Sequence, residues 1–175
     1  MELRKEIEPQ FDIAEKFYPE VLKLILEYTD YCDENGDEEF VEYKKLEEKL
    51  HLMTGKDMSQ FNLWEWWEED GAENLAFNVS LPDPEKVENI TQEELYEIVR
   101  RLTTFEEPDK NSPEFIIMFG MNTVFGNGYF YKFLKLNFKT FNYKLFQRNK
   151  DKNGNYFEYS IDETVEILWN NGNFC

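Results

Sequence analysis

The chain is 175 residues long, 41% hydrophobic and 17% aromatic, which is too apolar for a disordered protein and long enough for one folded domain. Its 19 basic and 37 acidic residues leave a formal charge of −18, a field that repels nucleic acid and anionic membranes and draws in basic surfaces. No run approaches the roughly 20 apolar residues of a membrane span, and MELRKEIEPQF lacks the apolar centre of a secretory signal.

Taken in chain order, Pro19 is placed to open a helix through EVLKLILEYTDYC, where Val21, Leu22, Leu24, Ile25 and Tyr28 recur near helical spacing. The turn DENG leads to a second helix over about Asp37 to Met53, with Gly55 as its stop. Ser59 can cap a third helix that carries FNLWEWWEED and ends at Gly71. Next, Leu75, Phe77, Val79 and Leu81 alternate with Ala76, Asn78 and Ser80, the period of a strand, which Pro82 and Pro84 close. Thr91-Gln92-Glu93-Glu94 is a capping box, so a helix is expected over about residues 92–104.

Beyond the EEPDKNSP loop, FIIMFGMNTVF reads as a buried strand or as a short helix capped by Ser112. In residues 129–147, Phe130, Phe133, Leu134, Phe138 and Phe141 fit a helix, while Phe130, Leu134, Leu136 and Phe138 fit a strand. The density of Phe and Tyr and the hairpin signal KDKNGNY favour strands. Ser160-Ile161-Asp162-Glu163, a second capping box, starts a helix that runs to about Trp169. The expected fold is α+β: a single domain over 1–175, with several N-terminal helices packed on a mostly antiparallel, aromatic-rich sheet and a C-terminal helix. Residues 1–111, the acidic and mainly helical portion, hold 31 acidic and 12 basic residues; residues 112–175, the sheet-rich portion, hold 6 and 7.

The stretch FNLWEWWEED concentrates three tryptophans among carboxylates. On a helix of about 100° per residue, Phe61, Leu63, Trp64 and Trp67 form one apolar arc, suited to a core. Trp66 falls outside that arc, beside Glu65, Glu68, Glu69 and Asp70. It is either covered by another element or exposed in an acidic frame. An exposed indole could take the stem of a Lys or Arg while the carboxylates bind its head. These five residues are the candidate partner-binding site.

Other chemistry finds little support. YCDENGDEEFVE has the glycine and terminal glutamate of a calcium loop, but Tyr31 stands where an oxygen ligand is required. A single histidine, His51, excludes a site built on two imidazoles. Cys32 and Cys175 lie far apart and imply reduced thiols in a cytoplasm rather than a disulfide framework. Adjacent carboxylates such as Glu68-Glu69 or Glu106-Glu107 could serve a glycosidase, yet pairs are expected by chance in so acidic a chain. No metal, cofactor or catalytic residue is called for. The expectation is an acidic bacterial, cytoplasmic binding protein that occludes a basic protein partner: an immunity protein or antitoxin against a cationic toxin domain, such as a nuclease. The alternatives are a nucleic-acid mimic that inhibits a DNA- or RNA-binding enzyme, and a carboxylate-based hydrolase. No direct nucleic-acid partner and no membrane partner is expected.

Overall fold

The computed structural model describes residues 1–66 and 71–170. The chain forms two compact units, unit 1 from Met1–Pro9 with Pro84–Cys175 and unit 2 from Gln10–Asp83. The expected α+β fold is not present. The described residues are mostly helical, with seven α-helices and one two-stranded antiparallel sheet, β1 (Asn149–Lys150) and β2 (Tyr156–Phe157), in place of an aromatic sheet beneath helices.

In unit 2, α1 (Phe11–Asn35) buries Ala14, Val21, Leu24, Ile25 and Tyr28 along one stripe. Pro19 sits inside this helix instead of opening it. Helix α2 (Val41–Thr54) contributes Leu46 and Leu50, and ends where Gly55 adopts a left-handed conformation, as its position suggested.

The segment expected as a strand is α3 (Ala72–Ser80). Its period-two reading misled because two of the three intervening residues are not outward-facing: Ala76 and Ser80 are buried with Leu75, Phe77 and Val79, and only Asn78 is exposed. Small side chains one turn apart let a nearly all-buried helix pack against α1, where Phe77 stacks on Phe11 with ring centroids 5.9 Å apart. Lys56 finishes this helix. Its buried ammonium donates to the carbonyls of Asn78 and Leu81, both at 2.7 Å, and lies 3.3 Å from Asp83. The carbonyls that a helix end leaves open are thus met by a cation, which the helix dipole favours.

The third expected helix is also absent over 61–65. A short 3-10 turn, Met58–Gln60, is capped by Asp57 rather than Ser59. The Asn62 carboxamide then accepts from the N–H groups of Trp64 (3.3 Å) and Glu65 (3.2 Å). Such a side-chain turn competes with helix hydrogen bonding.

In unit 1, both capping boxes form as read, with α4 (Gln92–Thr104) behind Thr91 and α7 (Ile161–Trp169) behind Ser160. These two helices pack together. FIIMFGMNTVF is α5 (Glu114–Phe119), with Pro113 and not Ser112 at its N-cap, followed by a 3-10 turn. The expected strands of 129–147 give way to α6 (Tyr129–Asn137). The helical alternative wins because Phe130, Phe133, Leu134, Asn137 and Phe138 are all buried, at spacings of three and four. Asn137 completes that stripe as a polar tie, accepting from Val87 N–H (2.9 Å) and donating to the Glu85 carbonyl (3.2 Å). Gly128, at the start of α6, is required by crowding. A Cβ there would meet the carbonyl oxygens of Asn122, Thr123 and Phe125 at 2.5, 2.7 and 2.8 Å.

Residues 1–9 are held to α4 by charge. Arg101 forks onto Glu8 with two bonds of 2.9 Å, Arg4 reaches Glu94 at 2.6 Å, and Arg100 and Arg101 both bind the buried Glu97. The Arg100 hydrogen bonds, ahead of the opposing effect of burial, pull the Glu97 carboxyl from the ordinary 4.5 to about 2.

Two predictions follow from this packing. Glu97 is ionised in the folded state far below its unfolded pKa, so its contribution of about 3 kcal/mol is complete above pH 4.5 and drains away as pH falls toward 2. Urea titrations across that window should show the loss, and Glu97→Gln should flatten it; an unchanged pH profile in the variant would refute the assignment. Gly128→Ala should cost about 1–3 kcal/mol through overpacking against backbone, read as a lower thermal midpoint.

Candidate partner-binding surface

Unit 2 concentrates the charge of the chain. Residues 10–83 hold 20 acidic and 6 basic residues, a balance of −14, against −4 for unit 1. Its six cations are all lysines, and four of them (Lys23, Lys45, Lys49 and Lys56) are taken up in ion pairs.

Of the residues expected to form the site, Trp66 is half-buried. It packs on the unit 2 core, and its indole Nε1 donates to Thr29 Oγ1 at 2.9 Å on α1. Glu65 is exposed and accepts from the Asn62 amide at 3.1 Å. Glu68, Glu69 and Asp70 lie outside the described residues, as does Trp67. Trp64 also packs on the core from a half-buried position.

The exposed aromatic in an acidic frame is a different residue, Phe40, in the α1–α2 connection. The connection is shaped by Asp37. One of its carboxylate oxygens accepts from the N–H of Val41 (2.8 Å) and Glu42 (3.2 Å), and the other from Tyr43 N–H (2.8 Å) and the Tyr28 hydroxyl (3.3 Å). Four donors therefore occupy the Asp37 carboxylate. Partial burial would raise the pKa of Asp37, but the backbone donors outweigh it and hold the carboxyl below its ordinary value. For Tyr28, burial comes first and then the neighbouring Cys32 and Asp37, and together they push its hydroxyl well above the ordinary tyrosine range. The hydroxyl remains a donor at physiological pH.

With α2 capped from four residues upstream, Phe40 falls in the left-handed region at φ 55°. Its side chain stays 44% exposed, with its ring 5.6 Å from Trp64 and 6.0 Å from Tyr43. Tyr43 in turn meets Tyr28 at 5.7 Å, so the outer ring rests on a row that leads inward to α1. Asp30, Asp33, Glu34, Glu38 and Glu39 crowd the same end of α1 and the same turn. All are exposed, and among the described residues none is in an ion pair. An apolar ring with unpaired carboxylates beside it can accept the stem and head of a Lys or Arg. The signal was present in the sequence: in DEEFVE an aromatic stands between acids directly after a glycine turn. Reading the segment for calcium ligands, and then as the start of a helix, obscured it.

No protein family, curated protein or solved structure matches the chain. Among the described residues no helix is long and apolar enough to cross a membrane.

Removing the organising carboxylate should be visible directly. Asp37→Ala leaves three N–H groups of the first turn of α2 without their acceptor, so the urea midpoint should fall while the slope of the transition is kept. Glu38→Ala, one residue away and unbonded, should leave the midpoint in place. Equal effects from the two would show that Asp37 has no special role.

Proposed function

We propose that this chain is an acidic binding protein that occludes the basic face of a protein partner, acting as an immunity protein or antitoxin toward a cationic toxin domain. The reading is supported above all by the exposed Phe40 among the unpaired carboxylates of the α1–α2 turn, in a unit of net charge −14. Carboxylates of this kind speed the encounter with a cationic surface and make it sensitive to salt, whereas a desolvated aromatic sets how slowly the complex parts. Because Asp37 and the ring row hold the turn in one conformation, little ordering cost remains at binding. Acidic side chains would then lie where a nucleic-acid-directed toxin takes phosphate.

The test is capture of the partner at low and at high salt, followed by its identification and by kinetics with variants. A basic partner is expected. Phe40→Ala should weaken it by about 2 kcal/mol, or some 30-fold, mostly through faster dissociation. Glu38→Lys with Glu39→Lys should chiefly slow association. A partner that is acidic, or whose binding ignores both salt and these changes, would rule the reading out.

A further inference from the structure

A second surface, in unit 1, carries the opposite chemistry. Between Glu114 and Asp151 the chain has no aspartate or glutamate, while six lysines and arginines fall in that interval. The last of them enter the β1–β2 hairpin. Its register pairs Lys150 with Tyr156 and Asn149 with Phe157. Strand alternation therefore sets Arg148, Lys150 and Tyr156 on one face of the ribbon. The side chains agree, with the Arg148 guanidinium carbon 4.5 Å and the Lys150 ammonium 5.2 Å from the centre of the Tyr156 ring. Tyr156 is 61% exposed. Lys144 is drawn alongside, because the Asn149 amide donates to the carbonyls of Lys144 and Gln147, both at 2.8 Å.

Among the described residues Lys144, Arg148, Lys150 and Lys152 are exposed and in no ion pair. By contrast Arg4, Arg100 and Arg101 are each bound to glutamate. Of the two carboxylates at the hairpin, Asp151 is occupied by the turn: it accepts from the N–H groups of Asn153 and Asn155, both at 2.8 Å, and from the Asn155 amide at 3.1 Å. The other, Glu158, is exposed and follows β2 in register with Arg148, so one carboxylate stands among four cations.

We infer that this hairpin face binds single-stranded nucleic acid, with Lys144, Arg148, Lys150 and Lys152 on phosphates and Tyr156 stacking a base. The inference is independent of the acidic surface of unit 2. Free cations alone would suit any polyanion, but an exposed ring framed by them suits a strand whose bases are unstacked and whose phosphates are accessible. A duplex hides the base faces, and an acidic peptide has no use for the ring. The overall charge of −18 opposes the contact, but at physiological salt charges are screened over about 8 Å. The field that a phosphate meets at the hairpin is set by the cations there.

The probe is a fluorescein-labelled ten-nucleotide oligouridylate or oligothymidylate, followed by fluorescence anisotropy with the full chain. Saturable binding is expected at 50 mM salt, weakening about 50-fold by 200 mM for four phosphates neutralised, with a duplex of equal length bound more weakly. Tyr156→Ala should weaken the single strand about tenfold, and Arg148→Glu with Lys150→Glu should abolish binding while the thermal midpoint stays near that of the unaltered protein. No binding at low salt, an unaltered affinity in Tyr156→Ala, or equal competition by polyglutamate would each overturn the proposal, the last by marking the face as a site for acidic protein.

Discussion

The geometry of the acidic surface depends on how one carboxylate is spent. Asp37 reaches forward over four residues to cap α2 and backward to the Tyr28 hydroxyl on α1. Those bonds decide where the chain between the helices can go. Once they form, Phe40 must turn through a left-handed conformation, its ring lands on Trp64 and Tyr43, and Glu38 and Glu39 are left facing water. Left-handed backbone is uncommon for a bulky residue and is sustained only where its surroundings enforce it. The capping of a helix and the display of a recognition residue are here one event.

The two units handle acidity in opposite ways. All four arginines of the chain belong to unit 1, and three of them neutralise Glu8, Glu94, Glu97 and Glu106 in forked or short ion pairs. A planar guanidinium that bonds two carboxylates at once can make a buried glutamate tolerable, as Arg101 does for Glu97 while also holding the half-buried Glu8. Unit 2 has only lysines, and apart from Lys56 those in ion pairs lie on the surface, where pairing contributes little and leaves the field largely intact. The choice of cation therefore separates carboxylates that build structure from carboxylates that remain free to act outward.

What could be read from the sequence was local and short-ranged. The capping boxes at Thr91 and Ser160, the stop at Gly55 and the hairpin at KDKNGNY each depend on a few neighbouring residues, and each is present. The misreadings arise where tertiary packing chose between periods. In α3, buried Ala76 and Ser80 imitate the outward positions of a strand, and in α6 aromatic content outweighed a true helical stripe. Asn62 replaced a helix with a turn through a side-chain bond that no periodicity reveals. The expected site suffered from the same gap. A helical wheel drawn on Phe61–Asp70 presupposed a helix that the described part of the stretch lacks, and Trp66 instead hydrogen-bonds Thr29, 37 residues earlier. The charge asymmetry was visible, and within the structure it follows the two units, −14 in unit 2 and −4 in unit 1, where arginines take up Glu94 and Glu97 of α4.

Unit 1 is discontinuous: its first nine residues bond to α4, some 90 positions later, while unit 2 is continuous between them. During synthesis every residue of unit 2 is therefore made before any partner of Arg4 or Glu8. Vectorial emergence lets domains fold as units in the order they appear, so the acidic half can reach its native form while residues 1–9 still wait, unpaired, for Glu94 and Arg101. Loop closure of this kind costs entropy that only late contacts repay.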